Sequence, residues 1–125
     1  MNILLDTHVL LWWLSDDASL GRKARKAIED VNNLTFVSAA SIWEIVIKKA
    51  LGKLDLPTSF REVISAESFQ TLDITTSHAF QVESLPLHHR DPFDRMLIAQ
   101  CQVEGLTLVT NDPEIRKYDV KTLSD

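Results

Sequence analysis

The chain has 125 residues, 45% of them hydrophobic and 25% charged, with a formal net charge of -5 and a single cysteine. This length suits one domain, residues 1–125, with one core that buries roughly two thirds of the unfolded surface without staples. The composition excludes a low-complexity or disordered chain. Cys101 has no partner for an internal disulfide, which fits a reducing cytoplasm. The N-terminus has no basic start and no long apolar stretch, so neither a signal peptide nor a membrane span is expected, and the protein is expected to be cytoplasmic.

Asn2-Ile3-Leu4-Leu5 is an apolar run of strand length, followed by a largely apolar helix from Thr7 to Leu14 that stops at Ser15-Asp16-Asp17. A second helix is predicted from a Ser19 cap to about Val31, with Leu20, Ala24, Ala27, Ile28 and Val31 on one face. Leu34 to Val37 reads as a short buried strand. Ser38 or Ser41 opens a third helix carrying Ile42, Ile45 and Val46 and ended by Gly52. Pro57 precedes a fourth helix from about Phe60 to Phe69, then Thr71 to Ile74 is a strand and Ser77 to Leu85 a helix. Asp91 caps the long helix from Pro92 to Glu104, closed by Gly105. Leu106 to Thr110 is a strand, Pro113 to Arg116 a short helix and Val120 to Leu123 an edge strand. Strands alternating with helices predict an α/β fold: a three-layer α/β/α sandwich around a central, mostly parallel sheet.

Four acids stand out against this layout. Asp6 and Asp112 leave the carboxyl ends of two buried strands, where an open parallel sheet places its ligand crevice, and Glu44 and Asp94 fall in the first turns of helices. Each alone has a structural reading. Asp6 and Asp112 can cap helices, Asp91 to Asp94 has cap spacing, Ser41-Ile42-Trp43-Glu44 matches a capping box, and Glu44 can pair with Lys48. Capping does not require two acids at one sheet edge, however, and Leu97, Ile98 and Cys101 put Asp94 on an inward stripe where no lysine or arginine clearly answers it. Collected carboxylates call for a cation, and hard oxygen ligands select Mg²⁺ or Mn²⁺. His88 and His89 are adjacent and His8 and His78 stand alone, which is not zinc-ligand spacing, although His8 can line the cleft beside Asp6.

The acidic balance argues against a nucleic-acid partner, but its distribution matters more than its sum. Arg22 to Lys26, Lys48-Lys49 with Lys53, and His88 to Arg90 concentrate positive charge. Singly these are solvated helix faces; beside an acidic metal cleft they form a track for phosphates.

Leu4-Leu5-Asp6-Thr7-His8, Ser41-Ile42-Trp43-Glu44-Ile45, Asp91-Pro92-Phe93-Asp94-Arg95 ahead of a Leu-Ile-Ala helix, and Thr110-Asn111-Asp112 occur in this order. Through these blocks, essentially the whole chain resembles the PIN-domain ribonucleases, in particular VapC-type toxins of bacterial toxin–antitoxin modules. The resemblance implies a PIN-like fold, Mg²⁺ or Mn²⁺ held by the catalytic residues Asp6, Glu44, Asp94 and Asp112, and Thr110 helping to hold the site. It implies a metal-dependent endoribonuclease that leaves 5′-phosphate and 3′-hydroxyl ends. It also implies a small cognate antitoxin whose chain lies in an apolar groove and points a basic group into the cleft. Asp6 and Asp94 are then the direct ligands, with Glu44 a ligand or a water-orienting base and Asp112 completing the shell. Expected partners are RNA, the antitoxin and a second copy in a homodimer, with no membrane. Trp12, Trp13 and Trp43 are candidate walls for a groove or dimer surface. Two other classes stay open: an aspartyl-phosphate protein, which needs a second acid where Thr7-His8 stands, and a catalytically inactive PIN-like RNA-binding or regulatory module.

Overall fold

Alternating side chains in β1 (Asn2–Leu5) bury both faces of that strand, and the rest of the molecule is layered on it. The computed structural model describes residues 1–56 and 59–124. Its other strands are β2 (Leu34–Ser38), β3 (Gln70–Leu72), β4 (Thr107–Val109) and β5 (Thr122–Leu123), in the order β3-β2-β1-β4-β5 with every pairing parallel. Helices α1 (Thr7–Leu14), α2 (Arg22–Glu29), α3 (Ala39–Ala50), α4 (Phe60–Ala66), α5 (Thr76–Glu83) and α6 (Pro92–Glu104) join them, with a 3₁₀ turn at Ile115–Lys117.

Ile3, Leu5, Val37 and Val109 pack on one face against Val9 and Leu10 of α1, Ala24 and Ala27 of α2, Ile45 and Phe60. Leu4 and Leu108 pack on the other against Leu97, Ile98 and Cys101 of α6, with Leu85, Ile115 and Tyr118. A parallel sheet covered on both faces gives the continuous apolar runs seen in the sequence. Cys101 is part of this core, and burial pushes its thiol up to about 12, leaving it an inert hydrophobe. No helix among the described residues is long and apolar enough to cross a membrane.

Several boundaries differ from the sequence expectation, each for a local reason. The second helix starts from Gly21, not Ser19, because Ser19 is turned back to Asp17, whose carboxylate takes its N–H at 2.8 Å and its hydroxyl in a preceding turn. It ends at Glu29, where Asp30 turns to extended backbone and accepts from Asn32 N; Val31 is therefore off the apolar face and 95% exposed. Ser38, not Ser41, caps α3, its Oγ accepting from Ala40 N at 3.0 Å, so the Ser41 to Glu44 pattern is not a capping box. The fourth helix ends at Ala66 and the third strand is Gln70–Leu72, leaving Ile74 outside it; Pro57 lies outside the described residues. Gly105, in the left-handed region at φ 70°, closes α6 as expected.

A true capping box opens α5. Thr75 Oγ1 accepts from His78 N at 3.2 Å, and His78 Nδ1 accepts from Thr75 N at 3.0 Å. With Nδ1 an acceptor, the His78 proton sits on Nε2 and is donated to Glu104 Oε2, 2.7 Å away on α6. Gln100 of α6 continues the connection: it accepts from the Ser38 hydroxyl at 2.6 Å and reaches the Asp73 carbonyl at 3.3 Å. This buried polar chain ties α5, α6 and the end of β2 in one register. His78→Ala leaves a cavity and strips the α5 cap of its partner, so chemical denaturation should show a loss of roughly 2–4 kcal/mol with an unchanged m-value.

Candidate active site

The sheet order reverses direction at β1: one crossover carries the chain to β2 and β3, the next returns it past β1 to β4. The crevice outside the carboxyl ends of β1 and β4 is therefore the topological switch point. Leu5 pairs with Val109, and the Asp6 N–H donates to the Val109 carbonyl at 3.1 Å, so Asp6 and Thr110 emerge side by side.

Asp6 is the N-cap of α1, its Oδ1 accepting from Val9 N at 2.7 Å, and is almost completely buried. Thr110, fully buried, donates its hydroxyl to the Asp6 carboxylate and accepts from Asp112 N at 3.1 Å. Asp112 Oδ1 accepts from Glu114 N, fixing the turn that carries it. Thr7 turns the other way, donating to Glu44 Oε1 at 2.7 Å and lying 3.1 Å from Ser41 Oγ. Glu44 is buried, and its second oxygen receives Lys48 Nζ at 2.7 Å, the i+4 pair expected from the sequence. One lone pair on each Glu44 oxygen remains for a water or cation.

Asp94 enters from α6. Asp91 Oδ1 caps that helix by accepting from Phe93 N at 2.9 Å and Asp94 N at 3.1 Å, so Asp91 has the capping role expected of it. Asp94 faces the cleft and is partly buried. Of the four sequence candidates, Asp94 and Asp112 have ligand atoms within 4.8 Å of each other, Asp6 and Glu44 are near enough to act electrostatically on Asp94, and Asp112 acts on Asp6.

Burial, above all, raises the pKa of Asp6, while the Thr110 hydroxyl, the Val9 N–H and His8 offset part of the rise and Asp112 adds to it. Asp94 is pushed up to about 7, first by burial, then by Asp91 and Asp6, with Glu44 adding to the rise and a hydrogen bond from His89 opposing it. The basic groups acting on these two acids are histidines, not permanent cations. The donor set therefore fits a divalent ion: hard oxygens that resist ionising together without one.

His89, discounted as a zinc ligand from sequence and counted only in the basic run from His88 to Arg90, lies at the site. Its ligand atom and those of Asp94 and Asp112 lie within 4.8 Å of one another, with Nε2 3.4 Å from Asp94 Oδ2. The signal in the sequence was its position two residues before the α6 cap. Its orientation depends on Tyr118, 29 residues later, which no local pattern reveals.

The PIN domain family model matches residues 3–121, and the chain belongs to that family. It is 32% identical over 120 residues to Ribonuclease VapC22 of Mycobacterium tuberculosis (strain ATCC 25618 / H37Rv), covering 94% of this chain and 92% of that protein. Its fold matches a chain of VapBC2 from Rickettsia felis bound to a promoter DNA fragment, with TM-score 0.76, 15% identity and coverage of 100% and 99% of the two chains. It also matches a chain of VapBC-1 from nontypeable Haemophilus influenzae, with TM-score 0.70, 15% identity and coverage of 99% and 98%.

The raised Asp94 pKa has a signed consequence for stability. Unfolded, the group ionises near 3.8; native, near 7, so the metal-free native state holds the extra proton between those values and stability falls as pH rises through that window. In EDTA, the melting temperature of the wild type relative to Asp94→Asn should decline from about pH 4 to about pH 7 and then level off. A pH-independent difference between the two would show that Asp94 ionises normally.

Proposed function

We propose that this chain is a metal-dependent endoribonuclease acting as the toxin of a toxin–antitoxin pair. The reading is supported by Asp6 and Asp112 leaving the ends of β1 and β4, by Asp6 and Glu44 acting electrostatically on Asp94, and by the Asp94 and Asp112 ligand atoms lying within 4.8 Å of each other. The name of the 32% identical relative, a ribonuclease, supports the activity, and the fold shared with chains of VapBC complexes is consistent with it.

Asp6, Asp94 and Asp112 hold Mg²⁺ or Mn²⁺, and Glu44 either joins them or orients the attacking water. A divalent cation there supplies Lewis acidity, lowering the pKa of a water and offsetting charge on phosphorus and the departing oxygen. The chain's own contribution is placement. Thr110 sets the spacing of Asp6 and Asp112, the Asp91 cap fixes the turn that presents Asp94, and Thr7 with Lys48 holds the Glu44 carboxylate in one rotamer. Water adds to phosphorus as the P–O3′ bond breaks and the 3′ oxygen takes up a proton, leaving 5′-phosphate and 3′-hydroxyl ends. No side-chain nucleophile is required.

A partner surface lies next to the cleft. Trp43 is the exposed tryptophan, at 59%, and stacks edge to face on Phe93 with ring centroids 5.4 Å apart; Trp12 and Trp13 pack against the core. Trp43, Ile74, Val82, Phe93 and Met96 line an apolar cavity of about 380 Å³ with Arg90 and Arg95 at its edge. An exposed apolar patch of this kind suits a small antitoxin or a second copy of the chain.

Asp94→Asn, and separately Asp6→Asn, should leave a folded protein whose cleavage of a panel of transfer, ribosomal and messenger RNA fragments in Mg²⁺ or Mn²⁺ falls roughly 100-fold or more. A folded Asp94→Asn protein cutting at the wild-type rate would reduce Asp94 to a helix-terminal acid. A wild type that binds RNA without cutting it would make the chain a binding module. Melts supply an activity-free check: Mg²⁺ at 100 times its dissociation constant stabilises by about 2.7 kcal/mol. Asp6→Asn should raise the melting temperature in EDTA and shrink that response, and equal responses would remove Asp6 from the metal site.

Expressed alone, the chain should arrest growth of its host, and co-expression of the neighbouring open reading frame should relieve the arrest and co-purify as a complex. A harmless chain with no co-purifying neighbour would contradict the toxin assignment.

A further inference from the structure

We propose that His89 donates a hydrogen bond from Nε2–H to a phosphate oxygen of the RNA substrate, and that Tyr118 and Arg95 are positioning residues that fix the histidine in the tautomer able to do so. This rests on the nuclease reading and adds a named group to it.

Tyr118 follows the 3₁₀ turn and is buried, in contact with the loop before α6. Its hydroxyl oxygen receives Arg95 Nη1 at 3.1 Å and the His89 backbone N–H at 3.2 Å. Two donors occupy both lone pairs of that oxygen. Its own proton has an acceptor 2.9 Å away in His89 Nδ1, against 3.4 Å for the His89 carbonyl. A proton on Nδ1 would be a third donor aimed at a filled oxygen. Nδ1 therefore accepts, and the ring proton of the neutral imidazole sits on Nε2.

Nε2–H faces the acids. It makes a long contact of 3.4 Å with Asp94 Oδ2, weak enough for a closer acceptor in the cleft to take its place. The His89 and Asp94 side chains are 15% and 18% exposed, so each presents an edge to a group entering the cleft. In a site that gathers a phosphodiester against carboxylates, the acceptor able to satisfy that donor is a phosphate oxygen. The loop is braced from both sides: His88 stacks edge to face on the Tyr118 ring at 4.8 Å, and Arg95 reaches the Pro86 carbonyl at 2.9 Å while lying over the same ring. The same tautomer disfavours His89 as a metal ligand, since an imidazole binds a cation through an unprotonated nitrogen.

Ring ¹⁵N–¹H long-range correlation spectra in EDTA, on neutral imidazole, test the tautomer directly. The wild type should show His89 as the Nε2–H form and Tyr118→Phe, which keeps the ring and removes the hydroxyl, a mixture of both. In cleavage assays, folded His89→Ala should lose about 100-fold in kcat, the scale of removing one positioned donor. His89→Gln should recover part of the loss, and Tyr118→Phe should fall between wild type and His89→Ala. The Mg²⁺ concentration giving half the thermal stabilisation should move by well under about 10-fold in His89→Ala, the long contact with Asp94 being a weak one. An Nδ1–H wild type, full activity in folded His89→Ala, or a Mg²⁺ midpoint shifted about 10-fold, the mark of a lost metal-site residue, would each overturn the assignment. An inactive wild type would overturn the nuclease reading itself, whereas an active wild type with an equally active His89→Ala would overturn only the role given to His89.

Discussion

Parallel pairing of β1 with β4 is the constraint from which the site follows. One backbone hydrogen bond past the end of the ladder, from Asp6 N to Val109 O, holds the exit of one strand against the exit of the other. Residues 6 and 110 then lie adjacent although 104 positions apart, and the Thr110 hydroxyl bridges Asp6 and the Asp112 backbone. Neither strand end could move without carrying an acid away from the crevice. The apolar side chains of Leu4, Leu5, Leu108 and Val109, buried on both faces, keep that register in place.

The second half of the cleft belongs to α3 and α6, and its placement relies on polar groups inside the molecule. Ser38 caps α3 through its Oγ and donates its proton to Gln100, so a single hydroxyl links the start of the helix bearing Glu44 to the middle of the helix bearing Asp94. Such a contact is directional, where apolar packing would leave each helix free to slide. Glu44 is in addition neutralised by Lys48, which separates it from the acids that burial leaves charged with difficulty.

Much of this was legible in the sequence because its causes are local. β1, β4 and α6 announce themselves through apolar runs, a proline at the first helical position and a glycine at the end, and the four acids sit where those elements stop or start. The second helix was misplaced because the Asp17 side chain engages both the N–H and the hydroxyl of Ser19, a local turn that spacing does not reveal. The apparent box at Ser41 and Glu44 failed because both side chains are turned toward Thr7. His89 was legible only as part of the basic run from His88 to Arg90, because its direction is set by Tyr118, a tertiary partner with no sequence signal of its own.

Asp91 places two properties in one carboxylate. Its Oδ1 fastens the first turn of α6, and its negative charge is the strongest charge acting to keep Asp94 protonated. Replacing Asp91 with a neutral cap would remove a favourable charge from the helix N-terminus, relax the electrostatic pressure on Asp94 and weaken its demand for a cation. Helix stability and cation avidity are therefore not independent traits in this protein; sequence drift at position 91 moves both at once.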